Sequence, residues 1–82
     1  MIAKEAEKIV HGRSKSYGAP DENMKRTAAL WSAYLGVSVT PADVAMCMVL
    51  VKVARESKTH KRDNLVDGIG YLIVADECNG RK

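Results

Sequence analysis

The feature that most constrains this chain is Thr40-Pro41-Ala42-Asp43, followed directly by an apolar run from Val44 to Val51. Thr40 offers a side-chain oxygen at an N-cap position, and Pro41 has the fixed φ that suits a first helical residue. Asp43 stands at N3, where a carboxylate can reach back to the N-cap amide. Together they predict a helix start. A run apolar nearly all round then predicts a central helix over residues 41–56, buried on most sides until Lys52, Arg55 and Glu56 restore polarity in its last turns.

The rest of the chain shows the same helical period between glycine and proline breaks. Ile2, Ala3, Ala6, Ile9 and Val10 form a stripe that predicts a helix over 2–11, ending near Gly12. Arg13 to Pro20 has the composition of a loop, with serines, Gly18 and Pro20 competing against helix. A second helix is predicted from Pro20 or Asp21 to Gly36, with Met24, Ala28, Trp31 and Leu35 inward and Gly36 as its C′ residue. Ser57 to Arg62 reads as a polar linker, and a fourth helix follows over about 63–78, with Gly80 as its stop. Gly68 and Gly70 fall inside it, each costing about 1 kcal/mol relative to Ala, an expense that close helix approach would offset.

These elements predict an all-α fold, a small bundle of about four helices in one domain spanning 1–82. Composition agrees, because Phe is absent and aromatics are only 5%, so the core must come from Ile, Leu, Val, Met and Ala, which suits packed helices better than a sandwich. A chain of 82 residues buries only about 60–65% of the surface its unfolded form exposes, so a homo-oligomer is expected.

Several classes drop out. Cys47 and Cys78 have no paired spacing and read as small buried hydrophobes rather than a disulfide or zinc framework. The segment MIAKEAEKIV lacks a continuous apolar h-region, and Val44–Val51 is too short to span a bilayer, so a cytoplasmic protein without a membrane association is expected. No GxSxG, Walker A, HExxH or paired-Cys motif occurs, and the apolar third helix is unlike a basic recognition helix, so nucleic acid is not an expected partner. Trp31 lies on the apolar stripe and reads as core, and His11 and His60 have no companion motif.

Two polar groupings remain. Lys52 and Arg55 share a face of the third helix; Asp63 and Asp67 share a face of the fourth, with Tyr71 one step further and Asn64 adjacent. A short connection makes these helices antiparallel neighbours, which brings two cations and two acids together. One reading is a partly buried salt-bridge network that fixes helix pairing. The other is a polar site in which Lys52 and Arg55 receive phosphate oxygens while the acids orient them, bind hydroxyls or hold Mg²⁺. The first loop adds Arg13, Lys15, Tyr17 and Asn23, a set able to neutralise phosphate and stack on a base. The formal net charge of +3 is mild, with Lys58, His60, Lys61 and Arg62 forming a second cluster, either an anion site or a solvated loop.

The order Tyr17-Gly18-x-Pro20-x-x-Asn23, Trp31, Thr40-Pro41-x-Asp43-Val44, Lys52-x-x-Arg55 and Asp63-Asn64-x-x-Asp67-x-x-Gly70-Tyr71 resembles a family of small phage and prophage proteins of unknown function over residues 9–75. It is similar, more loosely, to the phage nucleotide modification associated domains and to the MazG-like all-α NTP pyrophosphatases. What the resemblance implies is a phage-type nucleotide-binding protein, sequestering a nucleotide-derived host immune signal or serving phage nucleotide metabolism. Its ligand contacts would come from Arg13, Lys15, Tyr17, Asn23, Lys52, Arg55, Asp63, Asn64, Asp67 and Tyr71, with no catalytic residue and no cofactor. The MazG-like alternative is a Mg²⁺-dependent pyrophosphatase using Asp63, Asp67 and Glu56. Lys52 and Arg55 stand where that family carries an ExxE pair, which favours binding over hydrolysis. A third reading is a protein-interaction module that masks a host factor.

Overall fold

The computed structural model describes residues 1–17 and 19–80, and side chains throughout that range except those of 13–17 and 20. Four helices follow one another: α1 (Ile2–Tyr17), α2 (Pro20–Leu35), α3 (Pro41–Lys58) and α4 (Arg62–Cys78). No strand occurs among the described residues, so the chain is an all-α bundle.

Helix starts and stops follow local chemistry. The Thr40 hydroxyl accepts from the Asp43 amide at 3.1 Å, and Asp43 Oδ2 accepts from the Thr40 amide at 2.9 Å, so two otherwise orphaned donors are satisfied reciprocally. Gly36 ends α2 at φ 71°, a left-handed conformation that glycine adopts without a Cβ clash. The Ser32 hydroxyl accepts from the Val39 amide at 2.9 Å and so fastens the α2–α3 connection onto α2.

The first helix runs further than its composition predicts, through Gly12 and the Arg13–Tyr17 segment read as a loop. Gly12 is exposed with no neighbour near the place of a Cβ, so its cost is propensity alone and an established helix propagates through it. The true break is Ala19, extended at φ −60°, ψ 140° because the Pro20 ring disfavours helix in the residue before it.

A second correction concerns which helix is central. Among the described residues, α4 packs against α1, α2 and α3, whereas α3 packs against α2 and α4. With two neighbours α3 cannot be covered all round: Val44 and Ala45 face inward, while Met46, Leu50, Val51 and Val53 are exposed, Leu50 at 63% and Val53 at 58%. Cys47 is exposed as well, not the buried hydrophobe its apolar setting suggested, and both cysteines are free.

Small side chains dominate the core. Val10, Met24, Ala28, Val44, Ala45, Val74 and Ala75 form it, with Trp31, Val39, Ile73 and Cys78 packed against its edge. Small residues let helices approach closely, and the two glycines of α4 extend that logic. A Cβ at Gly70 would stand 3.4 Å from Val10 Cγ2 and 3.9 Å from the Ala6 carbonyl, so this is where α1 crosses α4. At Gly68 a Cβ would meet only Lys52 Cβ, at 3.9 Å, an ordinary contact. Gly68→Ala is therefore expected to stabilise the fold by about 0.5–1 kcal/mol through helix propensity, read as a melting temperature raised by a few degrees.

Candidate functional site

The polar residues of interest sit where α3 and α4 pack side by side. Lys52 meets Asp67 and Glu56 meets Asn64, pairs that converge toward the connecting turn, as an antiparallel hairpin requires. This packing is the most extensive between any two helices of the chain.

At its centre the Lys52 ammonium lies 3.1 Å from Asp67 Oδ2, with side chains only 13% and 23% exposed. A half-buried pair of this kind loses hydration on both partners, so its gain depends on both being present. The expected four-member cluster is only half assembled. Arg55 and Asp63 are exposed and make no ion pair among the described residues, although each shares a helix face with a member of the Lys52–Asp67 pair. Tyr71 is half-buried, as is Asn23 on α2, far along the chain from the hairpin. Arg13, Lys15 and Tyr17 have side chains outside the described residues; the backbone places all three on the last turns of α1 rather than in a loop.

Glu56 is the organiser of the turn. Its carboxylate accepts from the Lys61 amide at 3.0 Å and from Asn64 Nδ2 at 3.1 Å, and it hydrogen-bonds His60 Nδ1. Asn64 is buried and spends its amide on this contact. The hydrogen bond with His60, then those from the Lys61 amide and Asn64, hold the Glu56 carboxyl down from its ordinary value of 4.5 to about 2. One acid at the end of α3 thus caps the start of α4, where Lys61 supplies no side-chain cap. The connection is correspondingly short, Thr59 to Lys61, rather than the longer linker the composition suggested.

Arg62 joins the far side of the hairpin to α1. Its Nη2 and Nε donate to Glu5 Oε1 and Oε2 at 2.8 and 3.2 Å, a fork whose hydrogen bonds lower the Glu5 pKa and raise that of Arg62. Nothing in the sequence pattern pairs residues 57 positions apart, so this contact was not legible there.

The pyrophosphatase ligand set does not come together. Asp67 is turned to Lys52 and Glu56 to His60, Lys61 and Asn64, and no three acidic, histidine or cysteine groups gather for a metal among the described residues. Beside the polar seam, Val49, Val53, Leu65, Ile69 and Leu72 line an open, mainly apolar groove of about 400 Å³, with Lys52, Glu56 and Asn64 also in its lining.

The fold and this seam define a small α-helical protein whose inward-facing polar side chains tie its own helices together. Residues 1–79 match the family described as Domain of unknown function (DUF6378), and the chain belongs to that family. It is similar to the Gene 55 protein of Mycobacterium phage D29, 44% identical over 72 residues that cover 85% of this chain and 48% of the relative. The Gene 55 protein of Mycobacterium phage L5 is 43% identical over 79 residues, covering 93% and 51%. The family is thus one of phage proteins of unknown function, and the chain spans about half the length of these curated relatives. No solved structure matches. No helix among the described residues is long and apolar enough to cross a membrane.

Two consequences can be measured. Lys52→Met leaves Asp67 half-buried and unpaired and is expected to cost about 1–3 kcal/mol in chemical denaturation, whereas Lys52→Met/Asp67→Leu recovers most of it; a double variant no better than the single one contradicts a helix-pairing role. For Glu56 the folded pKa lies below the unfolded one, so its stabilisation is present above about pH 4.5 and fades as pH falls toward 2. Glu56→Gln should flatten that limb of the melting-temperature profile.

Proposed function

We infer that this domain works as a protein-association module, docking a partner through the apolar face shared by α3 and α4. The observation that carries the reading is the division of labour along that hairpin. Lys52, Asp67, Glu56 and Asn64 are engaged with one another or with the turn, while Met46, Leu50, Val53, Leu65 and Leu72 stay exposed. An apolar surface next to a groove is the usual mark of an interaction site. In the phage relatives the matching segment is joined to about as much chain again, as suits a unit that works by attachment.

A second reading, binding of a nucleotide or nucleotide-derived signal, has its own support. Arg55, Lys58 and Lys61 are exposed around the α3–α4 turn, and their side chains make no ion pair among the described residues. Phosphate oxygens would be received there rather than by Lys52, whose charge is met by Asp67.

One comparison separates the two. The wild-type chain and Leu50→Lys are used to capture partners from infected-cell lysate, and both are melted against a panel of nucleotides. Association predicts a stoichiometric partner lost in Leu50→Lys and unmoved by nucleotides. A nucleotide-induced rise in melting temperature that disappears in Arg55→Ala/Lys58→Ala, with capture equal in both proteins, supports the second reading and refutes the first.

A further inference from the structure

We propose that Asn79 is a site of spontaneous covalent modification: its side chain closes onto the Gly80 nitrogen and reopens as aspartate or isoaspartate, altering the end of α4 in the folded chain without an enzyme.

The sequence offers two places where a short acid or amide precedes glycine, Asp67-Gly68 and Asn79-Gly80. In both, the side-chain carbonyl carbon can reach the next backbone nitrogen in a five-membered ring, and glycine has no Cβ to hinder the approach. Closure requires the backbone to rotate at ψ of the first residue. The two sites differ sharply in that freedom.

Asp67 lies inside α4, where helical hydrogen bonds on either side fix the backbone. Its carboxylate is held as well, 3.1 Å from the Lys52 ammonium. Asn79 and Gly80 follow the last turn of that helix and are both exposed. The Asn79 amide donates to the Ala75 carbonyl at 3.1 Å, and the Gly80 amide to the Glu77 carbonyl at 3.2 Å. Hydrogen bonds at an exposed helix end open at almost no cost in free energy. Gly80 stands at φ 75° with open space where a Cβ would be, so the segment turns without collision. The other two asparagines are poorly placed for the same step. Asn23 and Asn64 sit in helices and precede Met24 and Leu65, whose side chains obstruct the approach, and Asn64 is buried with its amide donating to Glu56.

Water is the one co-reactant. The Gly80 backbone nitrogen gives its proton to solvent base and attacks Asn79 Cγ. The N–Cγ bond forms, the Cγ–Nδ2 bond breaks, and ammonia leaves with a proton regained from solvent. Water then opens the succinimide at either carbonyl, giving aspartate or, with the main chain rerouted through Cγ, isoaspartate. Either product sets a carboxylate at the negative end of the α4 dipole. That corner is already acidic: the Cys78 thiol is pushed up by burial and then by Asp21 and Glu77.

The test is peptide mapping by mass spectrometry on the full chain, kept folded at mildly alkaline pH, with isoaspartate read by an isoaspartyl methyltransferase. Asn79 is expected to lose its amide while Asn23 and Asn64 keep theirs, and isoaspartate should form at 79 and not at 67. In denaturant, which removes both the helix and the Lys52 contact, it should form at both. Asn79→Gln should abolish the signal at 79, and Gly80→Ala should slow it severalfold. Asn79→Asp, which supplies the product charge directly, should lower the melting temperature by a few degrees. An Asn79 amide as durable as those of Asn23 and Asn64 overturns the proposal. So does conversion at an unchanged rate in Gly80→Ala, or isoaspartate forming at 67 as fast as at 79 in the folded chain.

Discussion

The contact on which the rest of the molecule depends is the seam between α3 and α4, set by the half-buried Lys52–Asp67 pair and by Glu56 at the turn. An ion pair in this position adds little net stability, because hydration lost by both partners offsets most of the attraction. Its stronger effect is on register. A shift of α4 by one residue along α3 would strand both charges, so alternatives are penalised more than the observed pairing is favoured. Once that register is fixed, α4 presents Gly70 to α1 and Val74 and Ala75 to the shared core.

Size explains why so much apolar surface stays outside. Four helices of this length make few mutual contacts, and the core they enclose consists largely of alanines and valines. Among the described residues, the largest side chain that is fully buried is Val44. Larger apolar residues of α3, Met46, Leu50 and Val53, therefore stay exposed. Hydrophobicity in the sequence and burial in the fold separate here.

That separation also marks what the sequence could and could not convey. Local signals were read well: the Thr40–Asp43 box, Gly36 as a left-handed stop, and the start of α2 at Pro20 all depend on a few neighbouring residues. The approach of α3 to α4 followed from a short connection, and with it the meeting of Lys52 and Asp67. Burial was misjudged where it depends on how many neighbours a helix has, as for α3 and Cys47, because an apolar run does not say what stands beside it. Glu56 was weighed only as a third metal ligand. Its distance of five residues from Lys61 and eight from Asn64 fits no single helical period, since the chain turns between them. The fork between Arg62 and Glu5 was invisible for the same reason on a longer scale.

The crossing of α1 over α4 has a consequence for how this sequence can vary. Gly70 lies against Val10 and the Ala6 carbonyl with little room to spare, so the distance between the two helix axes is set jointly by all three residues. A methyl group at 70 would just touch Val10, whereas a larger residue there keeps the same crossing only when position 10 gives up equivalent volume; glycine has none to give in return, so the exchange runs one way.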